Sequence, residues 1–186
     1  MGTGMTEQGM NAGLMPGRDC GTCSLCCKVM AIGYMDPPKP AGKWCQHCKP
    51  GQGCAVWAER PQGCADFNCD WRKNPRLTDI WRPDRSGFVI HQQAPHMPIE
   101  INVDPGRPDA WRKEPYYSAL KQAAQAEVAN KGSIVVLVGV RQWLMLPDSD
   151  VPIPSDCIGG DFRIWRDTPL LGGKWHVSFT PPQPKG

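Results

Sequence analysis

The chain has 186 residues, a formal net charge of +3 and 40% hydrophobic side chains, enough for one ordinary domain or a small module joined to a second. Its 20 Gly and 20 Pro exclude a helical bundle and point to turns and ordered loops. No run of about 18 apolar residues occurs, which excludes a membrane-crossing helix. Residues 1–75 carry 8 basic and 6 acidic side chains and residues 76–186 carry 13 and 12. Neither half therefore has the electrostatic footprint of a nucleic-acid or anionic-membrane partner.

Residues 1–17 are rich in Met and Gly and show no basic stretch followed by an apolar one. They read as a flexible tail without a secretory signal, and the expected location is the cytoplasm. In a reducing compartment thiols stay reduced, and closely spaced Cys residues are expected to hold a metal or cluster rather than form disulfides.

Residues 18–75 form the first expected unit, a loop-rich cysteine module with nine of the ten Cys. It is too poor in aliphatic side chains to order itself by burial, and a cross-linking metal would supply the missing free energy. Its first group is Cys20-x2-Cys23-x2-Cys26-Cys27. Thiolates three residues apart in a tight loop can converge on one centre, as in iron–sulfur proteins and zinc knuckles. Cys26 and Cys27 are adjacent, so their side chains are expected to diverge, and either the two sulfurs serve different centres or one lies outside the ligand shell. The second group is Cys45-x2-Cys48-x5-Cys54-x9-Cys64-x4-Cys69, with His47 inside its first pair. Eight thiolates could make two four-thiolate sites and leave one Cys spare. Arg60, Lys49 and Arg72 could offset thiolate charge. Trp44, Trp57 and Trp71 flank ligand candidates and either wall the site or serve as ordinary core aromatics. His47 is the one histidine placed among candidate ligands; the other three are dispersed.

Residues 76–180 form the second expected unit. Gly87–His91 and the alternating Ile99, Ile101 and Val103 read as strands, and Asp104–Pro108 as a turn. A helix is expected from Pro115 to Asn130, with Tyr116, Leu120, Ala123, Ala124 and Val128 on its apolar face and Lys121, Gln122 and Gln125 opposite. Ile134–Val140 is suited to a central strand, with Gln142–Leu146 pairing beside it across a tight connection at Arg141. Phe162–Trp165 and Trp175–Phe179 alternate as two more strands. Asp148 and Asp150 read as turn residues, Cys157 as a bystander, and residues 181–186 as a C-terminal tail. The fold class is α+β: a cysteine module, then a small unit with one main helix and a mostly antiparallel sheet. No phosphate loop, Ser/His/Asp signature or dinucleotide fingerprint is present, and no catalytic residue is assigned.

Taken together, Cys20-Gly-Thr-Cys23-Ser-Leu-Cys26-Cys27, Trp44-Cys45, Cys54-Ala-Val-Trp57, Glu59-Arg60-Pro61, Cys64 and Phe67-x-Cys69 resemble the CxxCxxCC proteins, described as a zinc- or iron-chelating domain. The resemblance covers about a third of the chain. It implies Cys20, Cys23, Cys26, Cys27, Cys45, Cys54, Cys64 and Cys69 as metal ligands. Cys48 and His47 stand as possible extras, with Arg60 and Trp57 beside the centre. Two departures stand out: Cys48 falls where the family usually has an apolar residue, and Ala65 follows Cys64 where the family often has Arg. Flagellin lysine methylases contain a similar cysteine cluster.

Two functions follow as expectations. One is a cysteine-ligated zinc or iron centre in a structural or adaptor role. The alternative is an iron–sulfur or metal-dependent enzyme doing redox or group-transfer chemistry. The expected partner is another protein or a small substrate; nucleic acid and membrane are not expected.

Overall fold

The computed structural model describes residues 13–168 and 173–183. Most of the expected N-terminal tail (residues 1–12) and the end of the C-terminal one (residues 184–186) lie outside the described residues. The fold is α+β.

Turn-forming residues break the cysteine segment into short pieces. These are helix α1 (Cys26–Val29), a two-residue hairpin β1 (Cys48–Lys49) and β2 (Gly53–Cys54), and helices α2 (Gln62–Asp66) and α3 (Asp70–Lys73). Each Cys-x2-Cys pair is closed locally, Cys23 N–H donating to Cys20 O at 2.7 Å and Cys48 N–H to Cys45 O at 3.0 Å. Cys45 N–H reaches back to Cys27 O at 2.9 Å and joins the two groups. The first described residues are tied down as well, with Met15 N–H on Arg72 O at 2.8 Å.

A single turn, α4 (Pro83–Ser86), ends at Gly87 with φ +86°. Only a residue without Cβ fits there, because a Cβ would meet Ala110 Cβ at 2.9 Å. The chain then enters a five-stranded sheet, β3 (Phe88–His91), β4 (Ile99–Val103), β5 (Ile134–Val138), β6 (Arg141–Met145) and β7 (Asp150–Pro152), in the order β3-β4-β5-β6-β7. All neighbours are antiparallel except β4 and β5, which run parallel. A parallel pair needs a long crossover, and this one carries α5 (Tyr116–Ala129). A separate hairpin of β8 (Asp161–Arg166) and β9 (Trp175–Thr180) follows.

Period-two alternation decides what covers each sheet face. Phe88, Ile101, Val103, Ile134, Val136 and Val138 pack with Trp111, Leu120 and Ala124 beneath α5. On the other face, Val135, Leu144 and Leu146 are covered by Phe162, Ile164, Trp175, Val177 and Phe179 of the β8–β9 hairpin. Near the β3 edge of that face, Val89 is covered by Leu25 and Val29 from the cysteine segment. The sheet is thus the floor on which the cysteine segment rests.

Two expectations for single residues change. Lys121, expected on the exposed helix face, reaches Leu146 O and Ser149 O and pairs with Asp150 Oδ1 at 2.6 Å. Asp150 is no turn residue: it starts β7 and also accepts from Tyr117 Oη at 3.0 Å. The long lysine stem lets an ammonium at the edge of the helix reach the carbonyls of the β6–β7 turn.

Candidate metal centre

A cavity of about 520 Å³ lies between the cysteine segment and β3. Cys20, Cys23, Cys26 and Cys69 line it, and so do Cys27, Cys45, Cys54 and Cys64. His47, Arg60 and Trp57 border the same space, whereas Cys48 does not. All ten Cys are free thiols, and the nine in this segment are half-buried.

Mutual electrostatics link the thiols in overlapping groups, for Cys27 acts on Cys20 and Cys26 as well as on Cys48. Cys20 and Cys23 both act on Cys26 and on Cys69, which joins the three evenly spaced thiols to the remote one. Cys27 and Cys45 act on Cys48. Tyr34, whose hydroxyl lies 3.3 Å from Cys64 Sγ, feels both Cys64 and Cys45. Tyr34 fits there because Gly63 in α2 has no side chain; a Cβ would come within 2.6 Å of the ring.

Cys26 and Cys27, adjacent in α1, each have the other as the largest influence on their thiol. Cys26 donates to Cys27, and this hydrogen bond, more than burial, pushes Cys26 up well above the usual thiol value. The same bond brings Cys27 down to about 6 against the effect of burial, helped by the Cys48 thiol and the Lys39 ammonium. Burial raises Cys20 and Cys23, and pushes Cys69 and Cys48 up to about 11.

Cations accompany the thiols. Arg72 and Arg60 lower Cys20 against its burial. Arg60 stacks on Trp57, its Cζ 3.8 Å from the ring centroid, and its buried Nε makes no hydrogen bond. Near Cys27, Lys39 is only 7% exposed. Its ammonium donates to Lys28 O, Pro40 O and Lys43 O at 3.1, 3.0 and 2.8 Å. Sequence reasoning missed Lys39, whose flanking prolines suggest only a turn. Of the three tryptophans, Trp71 is buried at the cavity wall, while Trp57 at its border and Trp44 outside it are both exposed.

β3 supplies a wall that the sequence did not reveal as part of the site. His91 borders the cavity, with Phe67 edge-on at 5.4 Å between ring centroids. Its Nε2 lies 3.1 Å from Glu100 Oε2, off the line that an N–H donor needs, and makes no hydrogen bond. Pairing with His91, aided by Asn102, holds Glu100 below the usual glutamate value although burial opposes it. The alternation around Ile99, Ile101 and Val103 does place Glu100 off the core face; what it lacks is a partner strand.

Donor chemistry and charge balance fit a thiolate-bound metal or cluster. Among the described residues, however, no three His, Cys, Asp or Glu side chains are gathered closely enough to form an ion-holding group. The thiols line a space and do not close on a point. No helix among the described residues is long and apolar enough to cross a membrane. No family model, no curated protein and no solved structure matches this chain.

Proposed function

We propose that this is a cytoplasmic metal-binding protein of the CxxCxxCC kind, which ligates zinc or an iron centre through clustered thiolates in a structural or adaptor role. The observation that carries the reading is that eight of the nine clustered thiols border one cavity and the ninth, Cys48, does not. Cys20, Cys23, Cys26 and Cys69 would hold one centre; Cys27, Cys45, Cys54 and Cys64 would hold a second. Cys48 then serves as a hydrogen-bond donor to Cys27. Four thiolates around a divalent ion carry a net charge of −2, and Arg60, Arg72 and Lys39 lower the cost of burying it. Thiolate-bound zinc supplies cross-linking free energy; an iron–sulfur cluster would add electron transfer.

A second reading, a metal-dependent enzyme acting on a small substrate, is favoured by the size of the cavity. Its volume falls in the range of small-molecule sites, about 300–1,000 Å³, and exceeds what bound ions need.

Anaerobic purification, a visible spectrum and metal content per chain test both readings. Colourless protein with two tightly held zinc ions supports the structural reading. Brown protein with iron and acid-labile sulfide makes the enzyme the leading reading. Metal-free protein that folds fully overturns both.

A further inference from the structure

Val89 and His91 project from one face of β3 while Phe88 and Ile90 enter the core beneath α5. Leu25 and Val29 of the cysteine segment cap Val89. The next position on that face is therefore delivered to the cavity, and it is a histidine only 4% exposed. The antiparallel register sets Glu100 directly opposite. Glu100 Oε2 faces His91 Nε2 and accepts from Asn102 Nδ2 at 3.4 Å. His91 borders the cavity and Glu100 does not, so the ring stands between a carboxylate and the cavity. A carboxylate behind an imidazole fixes the ring's orientation. Three polar atoms of wall residues lack a hydrogen bond: His91 Nε2 faces Glu100, while Arg60 Nε and Trp71 Nε1 are N–H donors suited to an oxygen acceptor. The remaining wall includes apolar and aromatic surface from Met30, Val56, Trp57 and Phe67.

We propose that His91, backed by Glu100, is an acid–base group of this cavity that exchanges a proton with a small carboxylate-bearing ligand bound beside the thiols. The imidazolium gives a ring proton to a carboxylate oxygen of the ligand on binding and takes it back on release. One N–H bond breaks, one O–H bond forms, and no electrons are transferred. Glu100 remains ionised throughout and offsets the imidazolium. The inference rests on the small-substrate reading.

Carbethoxylation of the intact, metal-replete protein by diethylpyrocarbonate, mapped by peptide mass, tests it, with exposed His96 as internal standard. Neutral imidazole reacts, so a cavity-facing His91 labels within about tenfold of His96, and acetate slows His91 alone. Glu100→Gln removes the carboxylate that orients the ring, and His91 labelling then departs from its wild-type rate while that of His96 does not. Labelling of His91 only after denaturation, or labelling indifferent to acetate, overturns the proposal. Should Glu100→Gln fail to fold, the acetate comparison on the unmodified protein decides. Metal content of the same sample keeps the two ideas separable. Metal loss with His91 still protected by acetate breaks the metal reading alone; retained metal with inert His91 breaks only this proposal.

Discussion

From Phe88 to Cys157, sixteen apolar or cysteine side chains are buried; in the cysteine segment only Leu25, Val29, Ile32 and Trp71 are. The sheet is held by area removed from water, with Trp111, Phe88, Ile101, Ile134 and Leu144 fully enclosed. The cysteine segment is held by polar clips. Arg18 donates to Trp71 O and Asn74 O, Lys39 gathers three carbonyls, and Lys28 pairs with Asp104 at 2.6 Å. Such clips contribute only about 1 kcal/mol each in net terms. The difference teaches that the two regions should fail separately, the sheet on losing packing and the cysteine segment on losing whatever joins its thiols.

The comparison breaks most sharply under chelation. If thiolate–metal bonds order the cysteine segment, removing the metal forfeits about 10 kcal/mol or more. Amide exchange should then rise across the cysteine segment while β4, β5 and β6 stay protected. Cys23→Ser and Cys54→Ser should reproduce this, each removing a ligand from one of the two proposed centres. Unaltered melts of both variants would remove the premise.

Trp111→Ala probes the other region, at a cost of about 3–5 kcal/mol from the cavity it leaves. The effect should appear as a lowered denaturation midpoint of the sheet, with metal content per folded chain unchanged. Lost metal at full folding would mean that the two regions are one cooperative unit.

The smallest effect sharpens the joint between them. Burial raises the Asp104 carboxyl, but the Lys28 hydrogen bond, the Gly106 amide and the nearby cations outweigh it and leave it below its usual value. A carboxylate with a depressed folded-state value contributes stability that is complete above about pH 4 and is lost as pH falls through that lower value. Asp104→Asn should therefore cost about 1 kcal/mol near neutrality, or about 2–4 °C in Tm. Wild type and variant should converge in acid; a difference that persists there would assign the effect to packing.

Much of the sheet unit was legible because its signals are local and repeat. The alternation at Ile99, Ile101 and Val103, the continuous apolar run from Ile134, and the helix entered at Pro115 all emerge as elements within a few residues of their expected ends. Lys121 and Asp150 were misplaced because an ion pair 29 residues apart leaves no periodic trace. Within the cysteine segment the spacing marked all nine thiols, and the eight that the CxxCxxCC resemblance implies as ligands are the eight that border the cavity. How they lie against one another depends on the fold-back of Cys45 onto Cys27, which no spacing encodes.

By itself the sequence determined the α+β class, the helix, the strands and the concentration of thiols, since propensity and periodicity act over a few residues. Tertiary structure alone decided that Cys45 folds back onto Cys27, that Lys39 is buried beside thiols, and that His91 meets Glu100 at the cavity wall. Each of these needs two segments brought together by strand register or loop closure. Such contacts are selected by what the rest of the chain buries, which no local pattern encodes.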